Sequence, residues 1–352
     1  MNKRLNNILF NLLHLTLLVS IKNVTYHVPP NRIYVVGGIY VEIITEGVEL
    51  LYDLICSNYF DEKKYKRYIN TMEAKIFIKH ENEVGRNTNK QILERELRKV
   101  LEDETYEDLY GFYIIKKNID GFKNDIEYIK ENNNEILNNV LTQVYKFLPS
   151  WMKVKPKIIL YAGGADGGFA TFTKNVYINL GKYIGRKEEF EKVLAHEFYH
   201  TRHISFQKKI MLFIKTSLYP EKAMFDTLGR VLEEGIACLV QQGINFDIDD
   251  PVGTLTKRDI LLSKEHFDML NSALLSIKEE RPNYNLIYKI SVYVLGYIIA
   301  RTLYENDGIF ILDEWTVNFD YKKPIKRYIE LCREKNKPSG FARGIENWLL
   351  DK

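Results

Sequence analysis

Apolar residues recur at helical spacing along most of this chain of 352 residues. That spacing predicts helices over 45–58, 62–78, 88–103, 121–148, 188–204, 220–242, 254–280 and 284–305. The pattern is clearest in 121–148, where one face is formed by Ile126, Ile129, Ile136, Leu137, Val140, Leu141, Val144 and Leu148. Segment 284–305 is apolar on nearly every side, which predicts a buried helix.

Strand patterns are few. The β-branched segment 32–44 predicts a strand, and 157–161 and 176–180 predict two more. Four glycines between the last two, Gly163, Gly164, Gly167 and Gly168, are typical of turns, so the simplest interpretation is a loose hairpin loop with Asp166 as a turn residue. The whole pattern predicts a mainly α protein of the α+β class with one small sheet.

The predicted helix 188–204 contains His196-Glu197-Phe198-Tyr199-His200, an HExxH string. Positions i and i+4 share one face of a helix, so His196 and His200 can bind the same metal ion. Glu197 lies roughly 100° around the helix, where it can contact a water at the metal. Zinc lowers the pKa of such a water to ~7, and a carboxylate then takes its proton as it attacks a carbonyl. The string predicts a zinc hydrolase with Glu197 as general base.

A catalytic zinc site needs a third protein ligand. The HExxHxxGxxH continuation fails, because position 203 is His and position 206 is Phe. His203 is also a poor ligand, because three ligands from one straight helix diverge along its axis. Glu234 in the predicted helix 220–242 is the better candidate, because a carboxylate in apolar surroundings needs a partner. The other interpretation of Glu234 is a surface pair with Arg230 one turn earlier.

The HExxH string together with Glu234-Gly235-Ile236-Ala237 resembles the gluzincin branch of zinc metallopeptidases. The resemblance implies a zincin-like catalytic region in which His196, His200 and Glu234 hold Zn²⁺ and Glu197 is catalytic. The adjacent Glu233 leaves a second register open, and the EGxA string favours Glu234. The resemblance also implies that an edge strand, near the glycines before the site, binds the substrate through its main chain.

Two further positions follow from the same resemblance. Poorly characterised zinc-dependent peptidases carry a late YxxGY helix, here Tyr293 to Tyr297, and a phenol there can stabilise the oxyanion of the transition state. We predict this catalytic role for Tyr293, with Tyr297 as the alternative and core packing as the other interpretation of both. Thermolysin-like enzymes have an aspartate four residues after the ligand glutamate. Cys238 stands there instead, so the partner that orients a zinc histidine is unidentified.

Composition bounds the remaining possibilities. With 45 % hydrophobic residues the chain can bury a sizeable core. A net charge of +3 and the lack of a nucleic-acid motif indicate no nucleic-acid partner. Three widely spaced cysteines, Cys56, Cys238 and Cys332, form neither a disulfide framework nor a CxxC metal site.

The first thirty residues form an apolar N-terminal segment. Lys3 and Arg4 precede the apolar run 8–21, as in a signal sequence. Asn11 and His14 interrupt that run, no A-x-A-like cleavage site follows, and the run is short for a membrane span. We therefore expect a cytoplasmic protein without a cleaved signal, the alternatives being secretion or membrane association through this segment. The expected division is 1–30, a helical region 31–149, and a metallopeptidase region 150–352.

These observations favour a zinc-dependent peptidase that acts on a peptide or protein substrate. The alternative is a catalytically silent protein of the same fold that binds zinc or peptide. An intact Glu197 favours the enzyme, because a silent copy has no chemical need for that carboxylate.

Overall fold

The computed structural model describes residues 34–36, 39–57, 59–154, 156–170, 175–217 and 221–351. The predicted N-terminal segment 1–30 lies outside the described residues. The described residues belong to one compact unit, Ile33–Lys352. They form a mainly α fold with one small sheet, which confirms the predicted fold class.

Helices fill the first part of the chain. They are α1 (Glu46–Ile55), α2 (Glu62–Ile69), α3 (Met72–Glu83), α4 (Lys90–Glu102), α5 (Phe112–Lys117) and α6 (Ile119–Val144). Several begin at a side chain that accepts a backbone N–H: Thr71 accepts from Ala74 at the start of α3, and Asn89 accepts from Ile92 at the start of α4. The predicted segment 62–78 is therefore two helices, because Thr71 begins a new one.

The sheet has the strand order β1 (Tyr34–Val36), β2 (Ile39–Ile44), β3 (Lys157–Tyr161), β5 (Asn175–Asn179) and β4 (Gly168–Ala170). Strands β2, β3 and β5 are parallel, with Ile158 opposite Val176 in the register of β3 and β5. Residues 157–161 and 176–180 were predicted to flank a hairpin loop, and this is wrong. The glycine-rich connection forms β4, which pairs antiparallel with β5 at the outer edge of the described sheet.

The second part of the chain contains the two helices that carry the predicted ligands. Helix α7 (Lys187–His200) buries Phe190, Leu194 and Phe198. It ends four residues earlier than predicted, where the Thr201 hydroxyl donates to the Phe198 carbonyl and the chain turns. A short helix α8 (Phe206–Ser217) and α9 (Glu221–Met224) lead through a π-helical segment (Phe225–Gly229) into α10 (Arg230–Gln242).

The remaining helices follow α10 in the chain. They are α11 (Lys257–Leu261), α12 (Ser263–Lys278), α13 (Tyr284–Ile287), α14 (Val292–Asp307), α15 (Ile309–Thr316), α16 (Lys322–Glu334) and α17 (Arg343–Asp351). The predicted segment 284–305 is divided into α13 and α14, and α14 is buried as predicted. Among the described residues, no helix combines the length and the hydrophobicity that crossing a bilayer requires.

Candidate metal centre

Three predicted ligands come together where α7 faces α10. The Nε2 atoms of His196 and His200 lie 3.4 and 3.5 Å from the same carboxylate oxygen, Oε2 of Glu234. One ligand atom from each residue lies within 4.8 Å of the other two. Two ligands of a tetrahedral zinc ion with bonds of about 2.0–2.2 Å are separated by roughly 3.4 Å. The donor set and its spacing therefore fit a zinc ion.

Glu233, the neighbour of Glu234, points to the other side of His200. Its Oε1 accepts a hydrogen bond from Nδ1 of His200 at 2.9 Å. In the neutral imidazole that a metal requires, this bond keeps the proton on Nδ1 and leaves the Nε2 lone pair facing Glu234. Glu233 thus supplies the orienting carboxylate that position 238 lacks, although it acts on the second histidine of the string.

Three further hydrogen bonds hold Glu233 in place. Arg202 binds it with both terminal nitrogens at 2.7 Å, and the indole nitrogen of Trp315 donates to Oε2 at 2.8 Å. The Arg202 guanidinium is buried, lies 4.1 Å from the centre of the Tyr199 ring and also donates to the Thr316 carbonyl. This network fixes the orientation of Glu233, and through it that of His200.

The centre is ionised and attracts positive charge. Burial raises the pKa of Glu234, but the charge of His200 and the hydrogen bonds from both histidines outweigh it and lower the pKa to about 2. Burial also opposes ionisation of Glu233, and the charge of Arg202 with the bond from His200 lowers its pKa well below the ordinary value. Burial alone would lower the pKa of His200, yet Glu234 and Glu233 raise it well above the ordinary value. The same two carboxylates would attract a cation placed between the three ligand atoms.

Glu197 lies in the wall of a cleft of about 480 Å³ that reaches the metal centre. Its side chain is buried, and burial raises its pKa while the neighbouring histidines lower it. The edge strand β4 runs directly beside it, since a Cβ added to Gly168 would lie 3.5 Å from Cγ of Glu197 and 2.9 Å from the Tyr177 carbonyl. A side chain at position 168 would therefore clash with the Tyr177 carbonyl of β5 and displace β4 from its place beside Glu197.

The two tyrosines of the YxxGY string have different surroundings. The ring of Tyr293 lies 6.2 Å from that of His196 and lines the cleft. The charge of Glu234, followed by burial, raises the pKa of Tyr293, so its hydroxyl stays protonated. The Tyr297 hydroxyl instead donates to the Gly243 carbonyl at 2.9 Å in the core. Only Tyr293 of this pair faces the cleft.

The far wall of the cleft comes from α3. Nε2 of His80 lies 2.8 Å from Oδ2 of Asp166, and Arg86 donates to the same oxygen at 2.6 Å. The His80 ring stacks on Phe169 of β4 at 3.9 Å. His80 and Arg86 lower the pKa of Asp166 from 3.8 to about 2, with the hydrogen bond from His80 as the main cause. Asp166 was predicted to be a turn residue. Its bonds to His80 and Arg86 also connect the glycine loop to the region of α3.

Comparison with protein families matches residues 65–337 to the family described as "Putative zinc dependent peptidase (DUF5700)". That range contains every residue of the centre and the cleft described above. The chain belongs to this family. No curated protein and no solved structure matches the chain in these comparisons.

Other predicted positions in this family member lie as follows. Arg230 is over the Tyr288 ring at 5.5 Å, while the Glu234 carboxylate faces the two histidines. The cluster of ligand atoms found among the described residues does not include His203, which is exposed. Cys238 is buried and lines the cleft, and burial raises its pKa well above the ordinary value.

Sequence reasoning missed the roles of Glu233, Arg202, His80 and Asp166. Glu233 carried a local signal, because a second buried acid next to a candidate ligand needs its own partner. Arg202 and Trp315 lie 31 and 82 positions from Glu233 in the chain, and His80 lies 86 positions from Asp166. Contacts of that separation depend on the packing of the helices and leave no periodic pattern in the sequence.

Proposed function

We propose that this chain is a zinc-dependent peptidase that hydrolyses peptide bonds in a peptide or protein substrate. The observation that carries the proposal is the convergence of two histidines and a glutamate beside a cleft whose wall contains His196 and the buried Glu197. The family to which the chain belongs has the same chemistry in its description.

In this proposal His196, His200 and Glu234 hold the metal. Two imidazole nitrogens and one carboxylate oxygen are a ligand set of catalytic zinc sites, which keep one further position open. Zinc in such a site acts as a Lewis acid that polarises a carbonyl and lowers the pKa of water. Glu233 keeps the Nε2 lone pair of His200 turned towards the metal position.

Glu197 is the proposed general base and acid. It takes a proton from the attacking water and passes it to the nitrogen of the leaving amine, so that one carboxylate serves both halves of the reaction. Its burial beside β4 excludes bulk water, which strengthens its interaction with the reacting groups.

Two further groups complete the proposed reaction. The protonated hydroxyl of Tyr293 donates to the oxyanion as it forms, which is the interaction that strengthens in the transition state. Strand β4 lies at the outer edge of the described sheet, beside Glu197, and offers main-chain hydrogen bonds to an extended peptide.

A peptide library tests the proposal. Zinc-loaded wild type should cleave a subset of its peptides, and Glu197→Gln should retain zinc but lose nearly all cleavage. Glu188→Gln is the matched control, because Glu188 is an exposed acid on the same helix that pairs with Lys192. If wild type binds zinc and cleaves nothing, the chain is the silent zinc-binding or peptide-binding protein instead.

A further inference from the structure

The cleft beside the metal centre contains polar atoms that the protein itself leaves without partners. The Tyr183 hydroxyl, Nδ1 of His196 and Oδ1 of Asp250 are buried and have no hydrogen-bond partner among the described residues, and all three residues line the cleft. A buried polar atom without a partner costs roughly 1–3 kcal/mol. Their meeting in one cleft indicates a place where a ligand completes the hydrogen bonds.

Asp250 is held rigidly in this wall. It is 6 % exposed, and its Oδ2 accepts from the backbone nitrogen and the hydroxyl of Thr254. The backbone of the same loop closes on itself, with Asp250 N–H donating to the Leu255 carbonyl at 3.0 Å and Gly253 N–H donating to the Asp250 carbonyl at 2.8 Å. One carboxylate oxygen is thereby fixed by the loop, while the other has no partner.

Tyr183 also lines this cleft. It is 1 % exposed, and its hydroxyl occupies the space that a side chain at position 167 would need, 2.2 Å from a Cβ added to Gly167. Tyr183 lines the same cleft as Asp250 and Glu197, and burial followed by the charges of these two residues raises its pKa. Its hydroxyl bonds to neither carboxylate, so the cleft contains both an unpartnered phenol oxygen and the unpartnered Oδ1 of Asp250.

The charges that line this cleft favour a cation. The described lining residues include the carboxylates of Asp166, Glu197 and Asp250 but no lysine or arginine. Asp166 forms an ion pair with Arg86 and a hydrogen bond with His80, and Glu197 has the proposed role in catalysis. Asp250 remains as a buried carboxylate that forms no ion pair with another described residue, and a buried charge calls for a partner of opposite sign.

We propose that this pocket binds a cationic group of the substrate close to the scissile bond, with Asp250 as the charge partner and the Tyr183 hydroxyl as a hydrogen-bond acceptor. The inference rests on the proposed peptidase function and names its substrate class. An ammonium offers three donors and a guanidinium five, which suits a cleft that contains two unpartnered acceptors. The cation is either the free amino terminus of the peptide or the side chain of a lysine or arginine.

Matched peptides test the proposal on the zinc-loaded full chain. One set carries a free or an acetylated amino terminus, and the other carries lysine or norleucine beside the cleaved bond. In one of the sets, removal of the positive charge should lower kcat/KM by about 10- to 100-fold, the usual effect of losing a hydrogen-bonded charged partner. The set that responds tells whether the pocket takes the amino terminus or a basic side chain.

Variants assign that preference to the pocket. Asp250→Asn should abolish the discrimination by weakening cleavage of the cationic peptide while leaving the neutral one and the zinc content unchanged. Tyr183→Phe should reduce the discrimination by a smaller factor. Asp249→Asn is the matched control and should discriminate like wild type, because Asp249 is exposed and accepts from the Lys257 backbone outside this cleft.

Two results would overturn the proposal. Wild type would cleave charged and neutral peptides equally, or Asp250→Asn would lose zinc and cleave both more slowly, in which case Asp250 supports His196 instead. If wild type cleaves no peptide, the peptidase function fails, and binding still decides the pocket. The zinc-loaded chain should then bind the cationic peptide about 10-fold more tightly than its neutral partner, and Asp250→Asn should bind both alike.

Discussion

Two adjacent glutamates have different tasks in the centre. Glu234 faces both histidines, whereas Glu233 lies one residue earlier on α10 and receives Nδ1 of His200 and the guanidinium of Arg202. The HExxH spacing was sufficient to predict that His196 and His200 share a face, because the helix fixes that geometry. The choice between the two glutamates needed the EGxA string, and the role of Glu233 needed the fold.

Neutralising Glu233 should weaken metal binding. Glu233→Gln keeps the size of the side chain but removes the charge that holds His200 and Arg202, so zinc affinity should fall about 10- to 100-fold. Competition with a chromophoric chelator measures this, with Glu188→Gln as the control that should bind zinc like wild type. An unchanged zinc affinity in Glu233→Gln would show that His200 does not depend on this carboxylate.

The tyrosine pair offers a second test at the scale of single residues. Tyr293→Phe should lower kcat by roughly 10²- to 10³-fold if its hydroxyl stabilises the oxyanion, with KM and zinc content close to wild type. Tyr297→Phe removes the bond to the Gly243 carbonyl, so it should lower stability by about 1 kcal/mol and leave kcat nearly unchanged. Equal kcat values for the two variants would argue against a catalytic Tyr293.

At the scale of elements, two glycines set the distance between the helix of Glu234 and the helix of Tyr293. A Cβ added to Gly235 would lie 2.2 Å from the Gly296 backbone, and one added to Gly296 would lie 2.1 Å from the Val231 carbonyl. The glycines of the EGxA and YxxGY strings therefore allow α10 and α14 to touch through their backbones. Glu234 directly precedes Gly235, and Tyr293 lies three residues before Gly296 on the same helix, so the crossing fixes both side chains together.

Separating these helices should damage stability and the site at once. Gly296→Ala should lower the free energy of unfolding by about 1–3 kcal/mol or more, as overpacking does, and also reduce zinc affinity. Gly344→Ala is the control, because Gly344 lies in α17 with open space around its Cβ position and should be neutral or slightly stabilising. Urea denaturation gives the free energy of unfolding of both variants, and competition with a chelator gives their zinc affinity. A Gly296→Ala variant as stable as Gly344→Ala would contradict this close crossing.

The helices were largely predictable from the sequence, and the sheet topology was not. Apolar periodicity located α6 and α7 to within four residues at each end, because each buries one face. It also located the ends of α10 and α14, although the predicted segments 220–242 and 284–305 begin in the shorter elements that precede these helices. It missed β4, because three residues beside four glycines carry no alternating pattern. The parallel pairing of β3 with β5 depends on that strand, so the sequence favoured a hairpin that the protein does not form.

At the scale of the whole molecule, the cleft draws on both halves of the chain. His80 and Arg86 come from the segment that precedes α6, and they meet Asp166 in the glycine loop that follows it. The family match spans the same range, from residue 65 to residue 337. The first helices therefore form part of the wall that faces Glu197, and the expected division at residue 149 stays a prediction.

The contact between these halves should depend on pH in a defined window. The folded pKa of Asp166 is about 2, below its ordinary value of 3.8, so its stabilising effect is present above pH 3.8 and is lost as the pH falls towards 2. Metal-free wild type should be more stable than Asp166→Asn at pH 6, and the difference should shrink between pH 4 and 2. Asp268→Asn, which alters an exposed pair with Lys264, should stay close to wild type throughout. A constant difference between wild type and Asp166→Asn would rule out this linkage.

The most direct test of the account is a zinc titration of the metal-free full chain, followed by peptide cleavage. We expect the activity of the wild-type chain to rise with added zinc and to level off at one zinc per chain. Glu197→Gln should bind one zinc without activity, and Glu234→Ala should bind zinc much more weakly. Full activity without zinc, or undiminished zinc binding by Glu234→Ala, would contradict the account.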